Sequence, residues 1–365
     1  MLGLHDLPPE LLEHIFSFAC TDTGTTGRAL SLVSRYVRDT SATNKLQSIA
    51  LFGRVQILKF SNFLRSRDAE PARTRFLYIG GAKSLEVDLN ELAERRLNDN
   101  LTTEEQGYLD SLTGDHPQDV DITGSAFGRP AADAISDILR HLAPTLQVLY
   151  IHVNKYIAQE LLVDQTISLP RLETLTSWTG FPMRFNMRDN LECSLVPSSA
   201  LRQLHVVDSD VHDQGCTPEA MFLDQGIRHF APQLETLRIS DLGSHYSERV
   251  PPCISLGIGV DIGAPYLWPE LINPLPESLR EILLKPAYFE PEIIHRVQQY
   301  QDVLREARRL AQHSQRVVLL RVDEKAPGPD RFLDEWLDNA GGRPILYDLP
   351  EVDIRSCVGE EHENR

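Results

Sequence analysis

Hydrophobic residues at the start of the chain follow the spacing of an α-helix. The sequence Pro8-Pro9-Glu10 leads into apolar positions at Leu11, Leu12, Ile15, Phe16, Phe18 and Ala19. Proline suits the first helical position, and a carboxylate in the first turn interacts favourably with the helix macrodipole. The apolar positions extend beyond one narrow stripe. A large core or a partner must therefore cover part of this predicted helix.

A second helical pattern follows a turn over residues 21–27. Residues 28–38 place three apolar side chains on one face, at Leu30, Val33 and Val37. Residues 39–45 leave room for about one further helical turn. The first 45 residues are therefore predicted to form a small helical unit, similar to a three-helix bundle.

A different pattern repeats from residue 143 onward. Five times a small residue or proline leads into Leu-x-x-Leu-x-aliphatic or a close variant of it, with the first leucines at Leu146, Leu172, Leu201, Leu234 and Leu279. The variants are the second unit, which ends in Ser177, and the fifth, which has Ile282 in place of the second leucine. This motif is the strand half of a leucine-rich repeat. The first leucines lie 26, 29, 33 and 45 residues apart, which indicates an irregular array with loop insertions. Predicted helices over residues 156–166, 218–230 and 291–314 supply the crossovers that parallel strands require.

Shorter apolar runs extend this array in both directions. Further strands are predicted over residues 45–52, 74–79 and 316–322, and further helices over 55–64, 130–142 and 330–339, with Gly341 as a C-cap. Residues 81–128 are rich in acids and poor in apolar side chains, so they are predicted to be a surface insertion. The expected organisation is a helical unit over 1–45, an array over 46–350 and a charged tail over 351–365.

These patterns predict an α/β fold. An N-terminal helical unit would lead without a linker into an irregular, leucine-rich-repeat-like solenoid of parallel strands and helices. The strands would line its concave face, because each repeat buries its apolar side only against its neighbours.

The net charge and the cysteines limit the partners and the cellular compartment to be expected. A net charge of -17 argues against nucleic acid or an anionic membrane as the main partner. Five scattered cysteines without a C-x-x-C pair fit reduced thiols in the cytoplasm or nucleus. The sequence shows no apolar run of membrane-spanning length and no signal peptide. A soluble cytoplasmic or nuclear protein is expected.

Two segments of the helical unit together resemble the F-box. They are Leu7-Pro8-Pro9-Glu10-Leu11-Leu12-Glu13-His14-Ile15-Phe16 and, after a gap, Leu30-Ser31-Leu32-Val33-Ser34-Arg35. The resemblance covers only the first 45 residues. Ser34 and Tyr36 stand where many F-boxes carry a cysteine and a tryptophan. An irregular leucine-rich array after the motif is typical of fungal F-box proteins.

The resemblance implies a function. F-box proteins bind a Skp-family adaptor, join a cullin-RING ubiquitin ligase and hold its protein substrate. On this model no residue here is catalytic and no cofactor is needed. The adaptor would contact nine residues: Leu7, Pro8, Glu10, Leu11, Ile15, Phe16, Leu32, Val33 and Ser34. A helical hairpin that merely caps a solenoid is the alternative interpretation of this segment.

The protein substrate is expected to bind on the concave strands and the loops that leave them. The variable positions beside the repeat leucines give five candidates: Tyr150, His152, Trp178, His205 and Arg238. Tyrosine, tryptophan and arginine are the residue types that anchor interfaces. Tyr150 and Trp178 could instead pack between repeats.

Two other patterns suggest different chemistry. Six side chains able to bind zinc or iron lie close together in sequence: His205, Asp208, Asp210, His212, Asp213 and Cys216. Their spacing matches no metal motif, so a metal-dependent hydrolase is a minor alternative. Glycines over residues 257–263 resemble a dinucleotide loop, but a poor helix start follows them. A repeat scaffold that acts outside a ligase is the other alternative.

Overall fold

The computed structural model describes residues 7–66, 73–80, 125–153, 161, 167–178, 183–186, 190–193, 196–207, 221–223, 226–242, 249–263, 269–288, 297–322 and 331–343. Most of the predicted acidic insertion, the tail and all but Leu161 of the predicted helix over 156–166 lie outside these ranges. Within the described ranges, no helix is both long enough and apolar enough to span a bilayer.

The N-terminal helical unit consists of α1 (Pro9–Ala19), α2 (Thr25–Val33) and α3 (Arg35–Ser41). Its small core contains Leu12, Phe16 and Val37, with Leu7, Leu30 and Tyr36 packed against them. The single helix predicted over 28–38 is wrong, because Ser34 divides it. Ser34 has extended φ and ψ of -160° and 167°, and its Oγ accepts a hydrogen bond from the Val37 N–H. Serine favours this capping role.

Asp22 organises the loop between α1 and α2. Its carboxylate accepts hydrogen bonds from the backbone N–H groups of Gly24 and Thr26, at 2.9 Å each, and from the Thr25 hydroxyl at 2.6 Å. Burial raises the pKa of Asp22, but the hydrogen bonds outweigh burial and hold the pKa below its usual value. The Ser48 hydroxyl donates to the Asp22 carbonyl oxygen at 2.6 Å and so joins the helical unit to the sheet.

Eight parallel strands form one sheet, in the order β1-β2-β3-β4-β7-β8-β9-β10. Their bounds are Ser48–Phe52 (β1), Phe76–Gly80 (β2), Val148–Ile151 (β3), Thr174–Trp178 (β4), Gln203–Val207 (β7), Thr236–Leu242 (β8), Glu281–Pro286 (β9) and Val317–Leu319 (β10). The prediction of parallel strands after the five repeat leucines is therefore confirmed. A separate antiparallel hairpin, β5 (Met183–Asn186) and β6 (Asn190–Cys193), interrupts the chain between β4 and β7.

The main core lies on one side of the sheet. Alternate strand residues point there, including Leu77, Leu149 and Leu175. Five helices pack on that side: α4 (Gly53–Arg65), α5 (Ser125–Leu142), α6 (Ile227–Phe230), α7 (Val250–Gly257) and α8 (Val297–His313). All five leading repeat leucines are buried in this core. The last helix, α9 (Arg331–Ala340), packs against the opposite side of the sheet.

Two helical segments differ from the prediction. In place of a helix over 218–230, the described residues contain only the short α6. A Cβ on Gly226 would overlap the Met221 carbonyl oxygen, so the chain turns closely on itself there. No helix is predicted from the sequence over 250–257, where the structure has α7 with two consecutive prolines, Pro251 and Pro252, near its start. Both prolines fall in the first turn of α7, where the missing N–H groups cost little.

Candidate functional site

Exposed apolar side chains concentrate on the helical unit. Eleven large apolar side chains are exposed in the described part of the chain, and five of them belong to α1 and α2. We call these five the apolar surface: Leu11, Ile15, Phe18, Leu32 and Val33. Concentrated exposure of this kind marks a protein-binding site more often than scattered single residues do.

On helix α1, the exposed residues of the apolar surface are direct sequence neighbours of the buried core residues. Leu11, Ile15 and Phe18 follow i, i+4, i+7 spacing and therefore share the outward face. Leu12 and Phe16 occupy the neighbouring face and are buried. The His14 ring packs edge-on against Phe18, with ring centroids 4.8 Å apart.

The predicted adaptor residues divide into two groups. Pro8, Glu10, Leu11, Ile15, Leu32 and Val33 are exposed, so a partner could reach them. Phe16 is buried, whereas Leu7 is partly buried and its carbonyl oxygen accepts a hydrogen bond from the Tyr36 hydroxyl at 3.0 Å. Partly buried Ser34 caps α3. These three residues shape the helical unit from within. Phe18, which sequence reasoning left out, joins the exposed set because it lies three residues after Ile15.

The second candidate surface is the side of the sheet opposite the main core, which we call the strand face. Three predicted substrate residues lie there in one row, because Tyr150 pairs with Thr176, Thr176 with His205, and His205 with Arg238. Trp178 extends β4 two residues beyond Thr176, and its side chain lies outside the described set. His152 follows β3 and is partly buried, and this burial lowers its pKa to about 4.

Helix α9 covers this row. Tyr150, His205 and Arg238 are all buried, and Trp336 of α9 packs beside Tyr78 with ring centroids 5.7 Å apart. The strand face is thus occupied by the chain itself. The sequence predicts a closing helix over 330–339, but it does not show that the aromatic side chains of this helix pack on this side of the sheet.

Charged groups pair beneath α9. Both terminal nitrogens of Arg238 donate to the carboxylate of Glu335, at 3.2 and 3.3 Å. The Nε of Arg331 donates to the same carboxylate at 3.4 Å. Two parallel N–H···O bonds give this contact a fixed geometry as well as an electrostatic attraction.

His205 lies beside this pair and is held neutral. Its Nε2 is 2.8 Å from the Ser240 hydroxyl oxygen. Burial, followed by the nearby cations Arg238, Arg331 and Lys285, lowers the pKa of His205 well below its ordinary value. Glu335 Oε2 lies 3.9 Å from Nδ1, which favours the charged form, but the burial and the cations outweigh this single carboxylate.

The buried histidine predicts a pH dependence of stability. The unfolded chain binds a proton at His205 near pH 6.5, and the folded chain does so only at much lower pH. The contribution of neutral His205 to the free energy of unfolding is therefore complete above about pH 6.5. Below that pH it falls by about 1.4 kcal/mol for each pH unit. Chemical denaturation at several pH values measures this slope. His205→Gln should reduce the slope, and replacing the exposed His229 should not; equal slopes in both variants would contradict the assignment.

The described residues give no support to a metal site or a dinucleotide loop. Among them, no group of three or more His, Cys, Asp and Glu side chains could hold a metal ion. Of the predicted cluster, only His205 is described, and residues 208–216 lie outside. The glycines over 257–263 begin at the end of helix α7. A dinucleotide loop requires a strand before it.

No protein-family model, curated protein or solved structure matches this chain. The fold defines its class: an α/β protein with an eight-stranded parallel sheet, strands in chain order and a helical unit at the N-terminus.

Proposed function

We propose that this chain is the substrate-recognition subunit of a Skp–cullin–F-box ubiquitin ligase. The N-terminal helical unit would be the F-box, and a Skp-family adaptor would bind its apolar surface. The sheet would be an irregular leucine-rich-repeat array that holds a protein substrate. The chain would itself perform no chemistry, since its contribution is to raise the effective concentration of the substrate beside the transfer machinery.

The apolar surface is the observation that carries this proposal. Leu11 and Ile15 lie outside the core of the helical unit, at positions where the F-box pattern expects adaptor contacts. Exposing such side chains to water is unfavourable, and a partner that covers them gains roughly 25 cal/mol for each Å² of apolar area buried. The parallel strands in chain order support the second half of the proposal, because stacked repeats place successive strands side by side.

A repeat scaffold outside any ligase is the second candidate. The observation in its favour is helix α9, which covers Tyr150, His205 and Arg238 and so occupies the strand face. A scaffold of this kind would not capture the adaptor. Adaptor binding therefore separates the two candidates.

A pull-down with a purified Skp-family adaptor tests the proposal. We expect Leu11→Ala combined with Ile15→Ala to weaken binding by at least about tenfold, because both side chains would be lost from the interface. The exposed pair Val55 and Leu271 offers a matched control, since exposure is 50% and 52% there against 49% at Ile15 and 52% at Leu11.

The control double variant, Val55→Ala with Leu271→Ala, should bind the adaptor like the original chain. Thermal unfolding of both double variants checks that each is folded. A folded Leu11→Ala, Ile15→Ala chain that still binds the adaptor normally would rule the proposal out.

A further inference from the structure

Helix α9 contacts the sheet through one face. Phe332, Trp336 and Ala340 are its buried residues and follow i, i+4, i+8 spacing, and partly buried Leu333 and Leu337 pack beside them. The helix packs against β2 and β3, on the side of the sheet opposite the other helices that pack on it. A ten-residue helix held along one face is a small structural unit. Detaching such a unit costs less free energy than unfolding the core against which it packs.

The strand face has two chemically different halves. Its apolar half lies on β1, β2 and β3 and consists of Ala50, Phe76, Tyr78, Val148 and Tyr150. Its polar half lies on β4, β7 and β8 and includes Thr174, Thr176, Gln203, His205, Thr236 and Arg238, with the apolar Val207 and, on β9, Leu283 beside them. Polar residues at this many sheet positions are unusual for a surface that only supports a core.

Adjacent residues of α9 match these two halves. Trp336 packs on the apolar half beside Tyr78, and Glu335 forms the forked ion pair with Arg238 on the polar half. Phe332 lies one turn earlier, with its ring centroid 5.8 Å from that of His205. An acidic residue directly before a tryptophan, with a phenylalanine one turn back, is therefore complementary to the strand face in both charge and shape.

The fit on the polar half is close. The cavity between Glu335 and the strands holds only about 10 Å³, room for at most one water molecule, and threonine, glutamine, histidine and arginine side chains line it. The contact of α9 with this half is therefore mainly polar and differs from the close-packed apolar core on the other side of the sheet.

We propose that the strand face binds amphipathic helices with a Phe-x-x-Glu-Trp pattern, and that α9 is its intramolecular occupant. A partner helix of this chemistry binds by replacing α9. The tethered helix competes at a high effective concentration, so it lowers the apparent affinity for any partner. This inference rests on the substrate-receptor half of the proposed function and is tested without the adaptor, so the two can fail separately.

The test places a protease site between residues 322 and 331 of the full chain and compares cut with uncut protein. The probe is a fluorescent peptide of residues 331–343, and its binding is followed by anisotropy. The cut chain should bind the peptide with a Kd at least about tenfold lower than the uncut chain, because the competing helix can now leave. Arg238→Met in the cut chain should raise the Kd, and so should Glu335→Gln in the peptide, because each removes one partner of the ion pair.

Circular dichroism of the cut chain and size-exclusion chromatography distinguish the outcomes. Release of the C-terminal fragment by excess peptide, with the sheet signal retained, is the expected result. Loss of the sheet signal on release would make α9 part of the core and overturn the proposal. A fragment that excess peptide fails to displace would overturn it as well. Equal peptide affinity for cut and uncut chains, or no effect of Arg238→Met, would also contradict it.

Discussion

Replacing Phe16 by alanine should lower the free energy of unfolding by about 3–5 kcal/mol, the usual cost of removing a buried phenylalanine. Phe16 is only 4% exposed and packs in the core of the helical unit with Leu12 and Val37. Phe18, two residues further along the same helix, is 68% exposed. Phe18→Ala should change stability by no more than about 0.5 kcal/mol. Urea denaturation of the two variants makes the comparison.

The same two variants distinguish folding from binding. Phe18→Ala should stay folded and lose adaptor affinity, because its ring extends the apolar surface. Phe16→Ala should lose adaptor affinity only to the extent that the helical unit unfolds. A Phe16→Ala chain of unchanged stability would show that Phe16 is not a core residue and would return it to the predicted adaptor contacts.

The repeat pattern predicted most of the sheet because two physical signals agreed. In each unit, the repeat motif puts the leading leucine just before a strand and the second leucine, or Ile282 in the fifth unit, on the inward side of that strand. Leu201 and Leu204 illustrate this, since both are buried in the main core on either side of the start of β7. The spacing of the units then predicts parallel pairing, because each crossover is long enough for a helix or an extended loop.

The ends of helices were harder to predict because they depend on single residues and on contacts distant in sequence. Ser34 divides α2 from α3 by adopting an extended conformation and capping the next helix. Periodicity passes smoothly through that point, since Leu30, Val33 and Val37 keep helical spacing. Within the helix predicted over 218–230, α6 begins only after Gly226, which approaches the Met221 backbone too closely for a side chain, and no local pattern encodes this contact.

The strand face shows which structural information the hydrophobic pattern of the sequence does not contain. Tyr150, His205 and Arg238, taken from the variable positions of the repeats, fall in one row across the sheet, on β3, β7 and β8. An amphipathic pattern over residues 330–339 says that one side of the last helix is buried, but it does not say against which side of the sheet. Only the three-dimensional structure therefore shows that α9 covers the predicted substrate residues.

The two candidate surfaces thus differ in whether another part of the chain already covers them. The apolar surface is exposed within the described chain, so a partner can bind it directly. The strand face is already occupied, so a partner must first compete with α9. This difference makes adaptor binding the simpler measurement and peptide exchange the more informative one.

Gly27→Ala tests how the helical unit joins the rest of the chain, because two rules predict opposite signs. Alanine in a helix is more favourable than glycine by about 0.5–1 kcal/mol, so helix propensity predicts stabilisation. Gly27 is buried in α2, where an added Cβ would overlap the carbonyl oxygen of Lys45 and lie 2.9 Å from its carbonyl carbon. Backbone atoms cannot move aside as a flexible side chain can.

We expect the steric effect to dominate and Gly27→Ala to lower the free energy of unfolding by about 3 kcal/mol, at the upper end of the cost of overpacking. Urea denaturation measures the change. Arg28→Ala, at the exposed neighbouring position, is the control and should have little effect. Since the close approach of Gly27 to Lys45 fixes α2 against the segment after α3, adaptor capture should fall together with stability. A Gly27→Ala chain that is more stable than the original would show that helix propensity dominates and that this close approach does not exist in solution.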